Sequence, residues 1–273
     1  MKHNPFLVYL FAALWCWAPF VQLRAIPLHV FVGGATSASG DYSVNTAVFD
    51  GTNDYTRRNA TFTSGAADGK VVTFAFWIKM HASSTNGSVY RIFETATGGS
   101  SSRVWINRSA NNTIGLRAAN SSGTTILSID TATTFTAGGA WTHVYFCADL
   151  ANTSLRKIYI NGVSETITVN TYTDATIDWV VTGQQTNIGS TVGAANKLYG
   201  SLAEFWGDDV YLDDPTKFYS GGNPVNVGSD GSTPNGSQPL FYFSSTGSGN
   251  SWGNNGTAGS FTVTGTLDTD TSP

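Results

Sequence analysis

Two carboxylates, Glu204 and Asp208, are the nearest this chain comes to an acid–base pair. Glycoside hydrolysis needs two carboxyls about 5–5.5 Å apart for retention, or about 6.5–9.5 Å apart for inversion. On an extended strand Glu204 and Asp208 share a face but stand about 13 Å apart by backbone rise, with Trp206 between them. Glutamate occurs only at 94, 165 and 204, and none of these lies in an acidic cluster. The sequence predicts a chain that is not an enzyme.

Binding chemistry has better candidates. In Arg103-Val104-Trp105-Ile106-Asn107 the two-residue period of a strand puts Arg103, Trp105 and Asn107 on one face, with Val104 and Ile106 on the other. An aromatic ring flanked by guanidinium and amide groups can stack on a sugar and hydrogen-bond its hydroxyls. Arg91 or Arg117 from neighbouring strands would extend that platform. The pattern equally suits a Trp105 that only covers the second side of a sheet, with arginine stems packed around it. Asp50, Asn53 and Asp54 offer oxygens to a structural Ca²⁺, which takes six to eight. Asp-Gly and Asn-Asp are also ordinary turn formers, so both readings of this segment stand. Asp208, Asp209, Asp213 and Asp214 read as a solvated acidic loop.

Composition narrows the partners. Only 12% of residues are charged, about half the ~25% usual in soluble proteins. The 14 Lys and Arg are scattered and the formal net charge is -4, which provides no footprint for nucleic acid. Cys16 and Cys147 are the only cysteines, so a disulfide framework or a C-x-x-C zinc site is not expected. Cys147 follows three apolar residues and reads as a buried, inert thiol. At the N-terminus, Lys2 and His3 precede the apolar run from Phe6 to Leu23, closed by Arg24. Residues 1–25 therefore read as a secretory signal, an uncleaved anchor touching a membrane through residues 6–23, or a start placed upstream of the real one.

The elements that must position these groups are strands. Residues 26–41 end in a Gly/Ser-rich entry segment. Candidate strands then follow at short intervals: Val44–Asp50, Lys70–Met80, Ser88–Thr95, Arg103–Asn107, Thr113–Ala119, Thr125–Ile129, Trp141–Leu150, Leu155–Asn161, Thr176–Thr182 and Lys197–Leu212. In the second, Val72, Phe74, Phe76, Ile78 and Met80 alternate with Thr73, Ala75, Trp77 and Lys79, as a strand with one core face requires. Asn161-Gly162 suits the positive φ angles of a type I′ hairpin. Many short strands with regular turn signals and no sustained helical period predict an all-β, antiparallel β-sandwich. Residues 216–273 contain a long loop and two further strands, expected to pack on the sandwich, because two strands alone are not stable.

Four motifs in order carry a family resemblance over residues 42–215. They are Phe49-Asp-Gly-Thr-Asn-Asp-Tyr55, Phe74-Ala-Phe-Trp-Ile-Lys79, Trp141-Thr-His-Val-Tyr145 with Lys157-Ile-Tyr-Ile-Asn-Gly162, and Gly200-Ser-Leu-Ala-Glu-Phe205. Together they resemble laminin-G-like domains of the concanavalin A-like lectin/glucanase superfamily, of bacterial or phage type. In the last motif, Ala203 stands where the family usually has Asp. The resemblance implies a jelly-roll sandwich, Trp77 and Trp141 in its core, and Ca²⁺ near the Asp50–Asp54 turn. Glucanases of this fold carry an E-x-D-x-E-like strand, and Trp206 breaks that pattern here. Trp179 and Trp252 lie near turns and are candidates for exposure. The expected role is recognition or attachment, with a glycan or surface protein as partner, in a secreted protein. The alternative is a decoration protein of a phage-like virion.

Overall fold

The computed structural model describes residues 42, 44–62, 65–97, 101–244 and 252–273. The apolar leader and the entry segment lie outside the described residues. Among those described, the first strands are β1 (Thr46–Asp50), β2 (Tyr55–Arg58), β3 (Val71–Met80), β4 (Tyr90–Thr97), β5 (Ser101–Arg108) and β6 (Thr113–Ala119). The chain continues through β7 (Thr125–Thr134), β8 (Thr142–Asp149), β9 (Arg156–Ile160), β10 (Val163–Ser164), β11 (Thr168–Tyr172) and β12 (Gln184–Ile188). It ends with β13 (Tyr199–Asp208), the hairpin β14 (Tyr219–Ser220) and β15 (Asn223–Pro224), then β16 (Phe241–Phe243) and β17 (Thr262–Thr264).

Two antiparallel sheets face each other. One runs β1-β13-β3-β8-β9-β10, with β16 also on β13, and the other runs β11-β7-β6-β5-β4-β12-β2-β17. The alternation of β3 dictates its packing. Val72, Phe74, Phe76, Ile78 and Met80 enter the cluster between the sheets, where Phe74 packs on Phe93 and Phe76 on Phe205. Burying each such side chain contributes roughly 1.5–3 kcal/mol. Asn161 and Gly162 have φ of 49° and 73°, and Ile160 pairs with Val163, so the two-residue hairpin is formed.

The C-terminal region shares both sheets. β1 takes the first half of one edge of β13 and β16 takes the second half, while β17 extends the other sheet beyond β2. Residues 209–231 also cover the outer face of the seven-stranded sheet. There Ala75, Tyr145, Trp206, Phe218, Val227 and Tyr242 form one buried cluster, and Trp77, Ala203 and Val44 another. Trp77 is buried, as the family resemblance implied, but Trp141 is only half-buried at the margin, its indole N–H donating to the Thr271 carbonyl at 2.8 Å. Trp179 and Trp252, expected as candidates for exposure, are fully buried. Trp179 packs on Phe74, and Trp252 packs between Phe49 and Phe243.

One assignment by period differs from the structure. Thr176–Thr182 forms only an isolated bridge at Ile177, because Asp68 captures the N–H groups of Trp179 and Val180 at 2.8 and 2.9 Å. The strand lies just beyond, at β12, whose inward residues Gln184 and Thr186 are polar. Gln184 is satisfied by the Phe62 N–H and the Trp179 carbonyl. β2 and β11 also lack an apolar alternation that a sequence reading would catch.

Candidate functional site

The outer face of the eight-stranded sheet is polar and holds none of the buried apolar clusters found among the described residues. Cross-strand register aligns one residue from every strand on it. Thr262 pairs with Arg57, Arg57 with Asn187, and Asn187 with Glu94. Glu94 pairs with Trp105, Trp105 with Arg117, Arg117 with Ser128, and Ser128 with Thr171. Directly paired residues project from the same side of a sheet, so this is one continuous row at right angles to the strands. With strands about 4.8 Å apart, it is about 34 Å long.

Trp105 sits mid-row and half-exposed. Arg91 and Glu94 are three apart in β4 and would point to opposite faces of a regular strand. A bulge between Arg91 and Phe93 resets the alternation, and Ile92 is the extra residue. The Arg91 guanidinium therefore lies 3.5 Å from the Glu94 carboxylate and 5.8 Å from the centroid of the Trp105 ring, a cation–π contact that fixes the indole. Burial, opposed by Glu94 and reinforced by Arg117, lowers the pKa of Arg91, whose Nε and Nη1 have no hydrogen-bond partner. Glu94 is itself held by the Val192 N–H at 2.7 Å and by the Ser102 hydroxyl.

Each end of the row is built around an arginine. Arg117 Nη2 donates to both oxygens of Asp130 at 2.8 and 2.9 Å while its Nη1 donates to the Leu116 and Ile129 carbonyls, and Asn170 donates to the same carboxylate at 2.8 Å. The pair fits because residue 115 is glycine. A Cβ there would stand 2.2 Å from both Arg117 Nη1 and Asp130 Oδ1. These groups line a shallow depression of about 330 Å³ with Ser109, Thr113 and Thr168. At the other end Arg57 lies over the Tyr55 ring and donates to Asn187 Oδ1 at 3.1 Å and to the Val192 carbonyl at 2.6 Å. It lines a second depression, of about 420 Å³, with Thr262 and Thr264.

Of the residues singled out by sequence, Trp105, Asn107 and Arg91 meet on this face, where Asn107 pairs across to both Arg91 and Gly115. Arg103 shares the face but is an anchor. It is 7% exposed, and its guanidinium is paired with Asp178 at 2.6 Å. Glu94, Asp130, Asn187 and Arg57 escaped the sequence reading, because only register and a bulge bring them to Trp105.

The acidic candidates are engaged elsewhere. Asp50 Oδ1 accepts the N–H groups of Thr52, Asn53 and Asp54 at 2.7, 3.0 and 3.3 Å. Asp54 accepts those of Asp50 and Thr266 at 3.2 and 3.0 Å. These oxygens close a turn, and Asn53 is exposed beside it, so Asp50, Asn53 and Asp54 do not form the cage of six to eight oxygens that Ca²⁺ takes. Among the described residues no group of three or more His, Cys, Asp or Glu gathers to hold a metal.

Glu204 sits at a bulge of β13 with φ of 47°, and its carboxylate accepts the Tyr42 and Tyr242 hydroxyls at 3.0 and 2.8 Å under the C-terminal cover. Asp208, 5% exposed, accepts the Leu240 N–H at 3.2 Å. Burial and then Asp209 push the Asp208 carboxyl up to about 6. An acid raised in this way costs stability as pH climbs from its ordinary value through 6, by about 3 kcal/mol once fully ionised. Asp208→Asn keeps an oxygen for Leu240 and is expected to raise stability at pH 8 by about 1–3 kcal/mol, with little change at pH 3.5. Urea melts at the two pH values check this, and equal shifts at both would contradict it.

The comparisons place this architecture. A laminin G-type family model, described as the concanavalin A-like lectin/glucanases superfamily, matches residues 32–207, and the chain belongs to that family. Among solved structures, a "putative carbohydrate binding protein" from Bacteroides ovatus ATCC 8483 aligns with TM-score 0.53 and 13% identity, over 84% of this chain and 60% of that one. The heptameric SAP-like pentraxin of Limulus polyphemus aligns with TM-score 0.45 and 17% identity, over 62% of this chain and 78% of that one. The binding domain of botulinum neurotoxin DC, solved with SialylT, gives 0.38 and 17%, over 53% and 33%. At these identities the likeness is one of fold. No curated protein matches the chain.

Proposed function

We propose that the protein is a non-catalytic recognition module that binds carbohydrate through the outer face of its eight-stranded sheet. The observation that carries this reading is Trp105, partly exposed and fixed by Arg91 on the polar outer face of the eight-stranded sheet, with Asn107 on the same strand and Arg117 in register beside it. An aromatic ring supplies apolar contact to a sugar face, and the groups around it donate to and accept from sugar hydroxyls. The two carboxylates of β13 support no competing hydrolytic reading, since each is buried and bonded within the opposite sheet. The family, and the name of the Bacteroides ovatus neighbour, are in keeping with a binding role.

Trp105→Ala is expected to weaken glycan binding by at least about 30-fold, roughly 2 kcal/mol, the loss usual for a central aromatic anchor. Isothermal titration with the strongest ligand from a glycan array, run beside a thermal melt, checks it. Unchanged affinity in a folded Trp105→Ala protein would refute the site.

A further inference from the structure

We infer that the cover over the seven-stranded sheet closes a binding site for a single water molecule, held by Trp77, His143 and Glu204. The site lies on the other sheet from Trp105, and it stands whether or not the polar face binds sugar.

Three observations carry it. First, unpartnered polar atoms collect in one place. Trp77 on β3 pairs with His143 on one side and Ala203 on the other, and the bulge between Ala203 and Trp206 brings Glu204 to the same face. Trp77, His143 and Glu204 are 2%, 1% and 7% exposed. Trp77 Nε1, both imidazole nitrogens of His143 and Glu204 Oε1 have no hydrogen-bond partner in the protein. The second carboxylate oxygen, Oε2, accepts the Tyr42 and Tyr242 hydroxyls. A polar group buried without a partner costs stability, so buried donors and acceptors are nearly always met by protein or by ordered water.

Second, all three side chains line one cavity of about 10 Å³, bounded on the cover side by Phe218, Val225 and Val227. That is room for about one water and for nothing larger.

Third, the chemistry of the lining selects water. An indole N–H only donates, a carboxylate only accepts, and a neutral imidazole does one of each. Burial keeps His143 neutral. A water can accept from Trp77, donate to Glu204 Oε1 and make a further bond with His143, and about three bonds is the usual complement of a buried water. A cation would meet the positive end of the Trp77 N–H. Among the described residues no group of three or more His, Cys, Asp or Glu gathers to hold one. The water thus ties β3, β8 and β13 together beneath the cover.

The test is a high-resolution crystal structure of the protein, joined to water-selective NOESY and ROESY spectra of the ¹⁵N-labelled protein in solution. The crystal is expected to show one ordered water within about 3 Å of both Trp77 Nε1 and Glu204 Oε1. In solution the Trp77 indole proton is expected to show a water cross-peak of opposite sign in the two spectra, the mark of a water bound for longer than the protein takes to tumble. Trp77→Phe identifies that resonance by its loss, and sequential assignment of the parent serves if the variant does not fold. A cavity without water density, or a direct Trp77–Glu204 hydrogen bond in its place, would overturn the inference. So would a cross-peak that is absent, or of the same sign in both spectra, which reports proton exchange alone.

Discussion

Replacing His143 with phenylalanine is expected to make the protein progressively more stable than its parent as the pH falls from 7 to 3, by up to about 5 kcal/mol. His143 projects from β8 under the C-terminal cover, 1% exposed, against the rings of Trp77, Tyr145 and Tyr219. Neither ring nitrogen has a hydrogen-bond partner. Burial pushes its pKa down from the ordinary 6.5 to about 3. A histidine lowered in the fold contributes stability that is complete above its unfolded value and is lost as pH falls toward its folded one, here between 6.5 and 3. Glu204 lines the same small cavity, but burial raises its own pKa and its carboxylate is engaged by Tyr42 and Tyr242, so it offers little counter-charge to an imidazolium in acid. Asp208 works in the opposite direction between pH 6 and 4, so the parent's own pH profile understates the effect. Urea midpoints of parent and His143→Phe at pH 7, 5 and 3 isolate it. A constant difference between the two proteins across that range would contradict the account.

Arg108→Ala is expected to cost about 3–5 kcal/mol, among the largest losses available from one surface-to-core contact network. Arg108 ends β5 on its inward side and is fully buried, and its hydrogen bonds among the described residues go to carbonyl and amide oxygens. Its Nε donates to the Phe135 carbonyl at 2.6 Å, Nη1 to the Thr85 and Ser88 carbonyls at 3.2 Å, and Nη2 to Asn86 at 3.0 Å and to Asn112. The five N–H groups of one guanidinium thus tie three loops together, over the Tyr90 ring. Truncation leaves these oxygens without a donor in a site that water does not easily refill. Lysine has only three donors from a single point and is expected to recover less than half of the loss. Denaturant titration of both variants measures this, and a loss below about 1 kcal/mol for Arg108→Ala would refute the role assigned to it.

Much of the fold was legible because period and burial agree. β3 carries five apolar residues on one face and meets the core with all five. Asn161-Gly162 declares its own hairpin. β12 was invisible because two of its inward residues, Gln184 and Thr186, are polar, and Gln184 is satisfied by the Phe62 N–H, 122 residues away in sequence, and by the Trp179 carbonyl. The site was half legible for the same reason. Trp105 and Asn107 share a face by simple alternation, and Arg91 was within reach as a neighbour. The reversal that brings Glu94 to Arg91 depends on a bulge, and Arg57 reaches Asn187 only through a strand pairing 130 residues distant in sequence. Arg103 obeyed the alternation, but Asp178, which claims it, lies in a segment whose period suggested a strand.

The most direct test of the account is amide hydrogen exchange with and without a saturating glycan selected from the array. Protection is predicted along β4, β5, β6 and β12, around Glu94, Trp105, Arg117 and Asn187. Protection confined to the open groove on the other side of the molecule, lined by Lys79, His81, Asp268 and Asp270, would place the ligand on the wrong sheet for every argument made from Trp105.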